Sequence, residues 1–144
     1  MQKRKALISV YDKKNIELFA QTLIKHAIEI LATGGTLQYL LNKNIPVSDV
    51  TEYTHFPEML DGRVKTLHPK LFGGILYKRK DQEHVVTVNK HDIIAIDYVV
   101  VNLYPFVSKQ QENLTEDELT KIVDKYRIPP GDLIRHVDFV ACID

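Results

Sequence analysis

Ten residues, "DGRVKTLHPK" at 61–70, gather Arg63, Lys65, His68 and Lys70 around a lone acid, Asp61. Arg63 presents a planar fork that fits phosphate or carboxylate, Lys65 a compact point charge and Thr66 a hydroxyl. All three lie within four residues of Gly62, which frees the chain to turn. A solvated basic loop is the ordinary reading of such a run. Against it stand the apolar flanks "FPEML" and "LFGGIL", which can fix both ends of the loop to a core. His68, just before Pro69, reads as a hydrogen-bonded structural residue rather than a general base.

Two further stretches sit where a ligand is usually held. "ATGGT" at 32–36 falls between an expected strand and an expected helix. Its glycines let backbone N–H groups come close to a ligand, and a helix N-terminus adds orphan donors and a positive dipole end, which together suit a phosphate. Thr33 and Thr36 add hydroxyls; the bland alternative is a tight turn with Thr36 as N-cap. The element is neither a Walker loop nor a GxGxxG fingerprint. "SVYDK" at 9–13 occupies the same kind of place after the first strand, so Ser9 and Lys13 can face the same crevice, or Asp12 simply caps a helix while Lys13 is solvated. "NLYPF" puts Asn102 and Tyr104 at the carboxyl end of the longest apolar run. Two apart on a strand, they share a face, where an amide and a phenol can hold a heterocycle or merely end the strand. The six histidines are scattered without zinc spacing, and there is no G-x-S-x-G.

These groups need a scaffold, and the rest of the chain reads as α/β. With 144 residues, 44% of them hydrophobic, one compact domain is expected. Lys plus Arg and Asp plus Glu are equal at 19 each, so no global field draws the protein to nucleic acid or an anionic membrane. Cys142 is the single cysteine, which excludes an internal disulfide. No apolar run of spanning length and no signal-like start are present, and a cytoplasmic protein is the expectation.

Apolar runs alternate with amphipathic stretches, the pattern of a parallel sheet. Strands are expected at 6–10, 28–32, 45–50 and 96–106, with a last one at 136–144. The run at 96–106 reads as a central strand buried on both faces. Helical spacing predicts helices from Asp12 to about 26, from 36 to about 42–44, at about 81–90 and at about 116–126, the last opened by the capping box "TEDE". Residues 51–70 read as a long loop of the kind that carries function. "LFGGIL" at 71–76 reads as a short extended segment.

Taken in order, "LISVYDK", "LATGGTLQYL", "PVSDVTEYTHFPEMLDGRVKTLHPKLFGGILYKR" and "IDYVVVNLYPF" resemble the IMP cyclohydrolase domain of the PurH-type bifunctional purine biosynthesis proteins. The likeness runs from about residue 6 to 107, and the block 56–76 is its most specific part. The resemblance implies a methylglyoxal synthase-like fold, a three-layer parallel-sheet sandwich. It implies closure of the pyrimidine ring of 5-formamido-imidazole-4-carboxamide ribotide to IMP, with loss of water and without metal or organic cofactor. The partners it implies are the purine ribotides themselves, with no nucleic acid or membrane, and a homodimer as the assembly. By resemblance, Ser9, Lys13, Thr33, Gly34, Gly35 and Thr36 cradle the 5′-phosphate. Arg63, Lys65 and Thr66 reach the ribotide and the reacting carboxamide, Asn102 holds the base edge, and Lys65, Arg63 and Tyr104 form the catalytic group.

The end of the chain departs from that pattern. The anchor Leu133, Ile134 and Arg135 is kept, but Arg127 stands where the family has a catalytic Asp, Pro129 and Pro130 replace paired glycines, and the family's catalytic Lys has no counterpart. One domain at 1–144 without the formyltransferase domain is expected. Two readings stay open: a cyclohydrolase weakened by this segment, or a non-catalytic purine-nucleotide-binding module of the same fold. A phosphate-eliminating lyase fits less well, because the block "DGRVKTLHP" belongs to the cyclohydrolase branch.

Overall fold

The computed structural model of the protein describes residues 3–60, 62 and 64–102. Arg63, Tyr104, Arg127 and the expected elements at 116–126 and 136–144 lie outside them. Within the described residues, four parallel strands form one sheet in the order β3-β2-β1-β4: β1 (Lys5–Ser9), β2 (Glu29–Ala32), β3 (Ser48–Asp49) and β4 (Tyr98–Val101). Ala6 faces Ile30 and Tyr98 across the two central pairings, and Ser9 stands beside Val101.

Alternation along the strands feeds two cores, one on each face. Ala6, Ile8, Ile30 and Ala32 pack with Ile16, Ala20 and Leu23 of α1 (Ile16–Lys25) and with Leu37 and Leu40 of α2 (Gly34–Asn42). Leu7 and Leu31 point the other way, onto Val50 and Tyr53 of α3 (Val50–Thr54) and Leu71 and Ile75 of α4 (Pro69–Leu76). The result is the expected helix–sheet–helix sandwich. Ile8, Ile30, Leu40, Val50 and Leu71 are fully buried, each contributing about 1.5–3 kcal/mol of transfer free energy.

Several local expectations change. The first helix opens at Ile16 rather than at Asp12, because the backbone of residues 10–12 is bonded to side chains elsewhere in the fold; the Asp12 carboxylate accepts from the Lys14 N–H, outside the helix, and Asn15 at the N-cap has φ 63°. The strand expected over 45–50 shrinks to Ser48–Asp49, since Asp49 accepts from the Thr51 N–H and starts α3. Residues 51–70 therefore contain a helix, and also a hairpin closed by the Met59–Val64 bridge. Among the described strands β4 lies at the edge rather than the centre, with its residues only half-buried or exposed.

"LFGGIL" is helical, not extended. His68 caps α4 by accepting from the Lys70 N–H at 3.2 Å, and Pro69 occupies the first turn, where its missing N–H costs nothing. The glycines that disguise this helix serve packing: a Cβ on Gly74 would lie 2.3 Å from the Ile94 carbonyl oxygen. That approach lets the Ile96 N–H reach the Gly74 carbonyl at 3.0 Å and joins α4 to the segment leading into β4. Helix α5 (Gln82–Lys90) forms as expected, with Asp81 accepting from the Glu83 and His84 N–H groups.

Candidate active site at the carboxyl end of the sheet

Strands β1 and β2 end side by side at Ser9 and Ala32, and the chain leaves them through the two motifs singled out above. Thr33 is the N-cap of α2, and Gly34 follows with φ +52°, a left-handed conformation that favours glycine. Its missing side chain also makes room. A Cβ on Gly34 would sit 2.9 Å from the Lys65 Nζ and 3.8 Å from a Glu58 carboxylate oxygen. On Gly35 it would sit 3.8 Å from the Lys13 Nζ. Two ammonium groups from distant parts of the sequence thus meet the first turn of α2, where N–H groups lack intrahelical partners and the dipole is positive.

The hairpin that delivers Lys65 is tight. The Met59 and Val64 backbones bond each other at 3.0 and 3.3 Å, and Leu60 (φ 54°) and Gly62 (φ 78°) turn the chain between them. Thr66 follows half-buried, and its carbonyl accepts from the His68 N–H at 2.8 Å. Thus Lys65 and Thr66 are positioned between a hairpin and a capped helix, not in a loose basic loop. His68 has the structural role expected, with its ring 6.0 Å from that of Phe56.

The hydroxyls divide. Thr36 is buried, donating to the Val10 carbonyl and accepting from the Val10 N–H, both at 3.1 Å. It stitches α2 to the end of β1 instead of capping the helix. Thr33 is 2% exposed, yet its Oγ1 has no hydrogen-bond partner among the described residues and makes no cap bond. A buried hydroxyl without a partner carries a desolvation cost of about 1–3 kcal/mol, which an arriving acceptor can relieve.

Asn102 follows β4 and lies against the loop between β1 and α1. Its Oδ1 accepts from the Tyr11 N–H at 2.6 Å and the Asp12 N–H at 3.2 Å, while Nδ2 donates to the Asp12 carbonyl at 2.8 Å. Lys13 in turn donates to the carbonyls of Val10 at 3.4 Å and Tyr11 at 3.1 Å. The structure therefore brings together Ser9, Lys13, Thr33, Gly34, Gly35, Thr36 and Lys65, with Thr66 on the adjoining hairpin strand and Asn102 behind the loop; Arg63 and Tyr104 fall outside the described residues. Glu58 was not legible as a site residue, because an acid in "FPEML" carries no spacing signal of its own.

Among the described residues no cluster of His, Cys, Asp or Glu is arranged to hold a metal, and no helix is long and apolar enough to cross a membrane. What the site presents is two ammonium groups and a buried threonine hydroxyl at the first turn of a helix.

Comparison with known proteins agrees with the fold. The bifunctional purine biosynthesis protein PurH of Fusobacterium nucleatum is 52% identical over 122 residues, which cover 85% of this chain, and PurH of Clostridium perfringens is 51% identical over the same length. The chain spans 24% of the length of these relatives. The crystal structure of ForH superimposes with a TM-score of 0.65 at 30% identity, covering 79% of this chain and 62% of that one. The model of the MGS-like domain matches residues 15–130, and the chain belongs to the family of MGS-like domains.

Proposed function

We propose that the protein binds a purine ribotide by its 5′-phosphate and closes the pyrimidine ring of the formamido ribotide to give IMP, in purine biosynthesis. The observation that carries this reading is the convergence of Lys13 and Lys65 on Gly34–Gly35 at the start of α2. The likeness to PurH narrows the anion from any phosphate ester to a purine ribotide. In this reading the first-turn N–H groups, the Thr33 hydroxyl and the Lys13 ammonium hold the phosphate. Ser9 stands at the mouth of the same crevice, and Thr36 supports it from below.

The chemistry asks little of the protein beyond placement. The carboxamide nitrogen attacks the formyl carbon, a C–N bond forms, and the formyl oxygen gathers negative charge. That oxygen then leaves as water, taking one proton from each of the two nitrogens, and no cofactor is consumed. Because both reacting groups belong to one molecule, holding them in line supplies much of the rate. Lys65 stabilises the developing oxyanion, with Arg63 and Thr66 orienting the ribotide and Tyr104 at the base edge.

Incubation of the protein with the formamido ribotide, followed by measurement of IMP, tests the proposal. Lys65→Ala is expected to lower turnover by about 10²–10³-fold, as removal of one oxyanion donor does elsewhere. The sequence around Arg127 favours a second outcome, because a cation replaces an acid there. Binding of IMP without turnover in the unaltered protein identifies a non-catalytic nucleotide-binding module. Absence of both binding and turnover overturns the proposal.

A further inference from the structure

We infer that Asn102 is a positioning residue, which clamps two successive peptide units of the β1–α1 loop so that the Lys13 ammonium stays at the first turn of α2. This rests on the anion-site reading above and assigns Asn102 a task distinct from holding a base edge.

The argument follows the peptide planes. Lys13 Nζ donates to two carbonyls, those of Val10 and Tyr11. The Val10 carbonyl shares a planar unit with the Tyr11 N–H, and the Tyr11 carbonyl shares one with the Asp12 N–H. Those two N–H groups are the ones that Asn102 Oδ1 accepts, at 2.6 and 3.2 Å. A planar unit held at its N–H cannot swing its carbonyl, so one amide oxygen fixes both acceptors on which Lys13 rests. Accepting at each N–H also polarises the carbonyl opposite and strengthens its bond to the ammonium. The Asn102 Nδ2 bond to the Asp12 carbonyl locks the amide's orientation.

Thr36 completes the brace from the other flank, holding both the N–H and the carbonyl of Val10. The loop is therefore tied to α2 on one side and to the carboxyl end of β4 on the other. Both lone pairs of Asn102 Oδ1 and one of its two Nδ2 hydrogens are taken up by the loop. Two of the three Lys13 donors are directed at the clamped carbonyls, which leaves a third for an anion over Gly35.

The probe is inorganic phosphate, which has no base for Asn102 to hold. Calorimetric titration of the unaltered protein, Asn102→Ala, Lys13→Ala and the double variant is expected to show phosphate affinity falling about tenfold in Asn102→Ala. In the Lys13→Ala background the same substitution is expected to change nothing further, because both act through one ammonium. Hydrogen exchange at the Tyr11 and Asp12 amides is expected to accelerate in Asn102→Ala. If that variant does not fold, Asn102→Ser, whose shorter side chain cannot span both N–H groups, is expected to give the same loss of phosphate affinity and the same faster exchange.

Phosphate affinity unchanged in Asn102→Ala (or in Asn102→Ser where that variant is used), effects that add in the double variant, or amide exchange that does not accelerate would each overturn the clamp while leaving the anion site standing. No phosphate binding by the unaltered protein overturns the anion site and the clamp together.

Discussion

The two ends of one sheet treat positive charge in opposite ways. At the amino end acids and bases answer each other. Lys5 and Lys3 both meet Glu29, and Arg79 meets Asp97 at 2.6 Å while also donating to the Ile96 carbonyl. Asp97 further accepts from the Lys5 N–H at 2.8 Å, so the entrance to β4 is tied to the entrance to β1. At the carboxyl end Lys13 rests on carbonyls, Lys65 crosses over a glycine, and Thr33 buries a hydroxyl with no partner among the described residues. One end pairs acids with bases across the sheet, whereas the other, open to a phosphate in the reading above, gathers ammonium groups and a hydroxyl at a helix start.

The largest effect that can break this contrast comes from the open end. Lys13→Ala combined with Lys65→Ala removes one charge-assisted contact to the phosphate and one to the base of the ribotide, each of about 1.5–3 kcal/mol, so IMP affinity is expected to fall about 10²–10⁴-fold. Thermal unfolding of the same double variant is expected to shift little. A large drop in Tm would mean that these ammonium groups hold the fold together, and the contrast between the ends would be lost.

Part of this division is visible in the sequence. The strand–Gly–Gly–helix pattern at 28–42 announces the turn, where Gly34 takes the left-handed φ of +52° that glycine favours. Placement of Lys13 beside it follows from parallel strands ending together. What the sequence conceals are bonds across long separations. Thr36 reads as a cap but is spent on Val10, 26 residues away, and Asn102 reads as a ligand but is spent on Tyr11 and Asp12, about 90 residues away. No local period encodes such pairings. Helix α4 was concealed differently: its two glycines depress helix propensity, and only the close Ile94 carbonyl shows why they are there.

The closed end yields the next effect, on stability and not on binding. Burial raises the pKa of Asp97, but hydrogen bonds from Arg79 and the Lys5 N–H outweigh it and hold the carboxyl below its ordinary 3.8. The unfolded chain then binds the proton more readily than the folded one. Its contribution to stability is therefore complete above the ordinary value and is lost as pH falls from there through the lower folded one. Asp97→Asn is expected to cost about 1–3 kcal/mol at neutral pH, a fall of about 2–4 °C in Tm for each kcal/mol, and to flatten the acid limb of the stability curve. Calorimetric unfolding across that pH range measures both. Phosphate affinity is expected to stay unchanged, and a loss there would show that the two ends are coupled through β1 and β4.

Glu29 should give the smallest effect and the finest test, since it repeats the Asp97 design with more water around it. Its hydrogen bonds to Lys5 first, and then to Lys3, lower its pKa against a small opposing effect of burial. The carboxylate is 44% exposed, however, and Lys3 is 68% exposed. Solvent and salt therefore screen these pairs as they screen ordinary surface ion pairs. Glu29→Gln is expected to cost at most about 1 kcal/mol, less at high salt, whereas the Asp97 effect should persist in salt because a backbone N–H and a less exposed carboxylate carry it. Equal losses in the two variants, with equal salt dependence, would mean that exposure does not rank the charges at this end. The closed network would then act as a single unit anchored at Lys5, which is bonded to both acids.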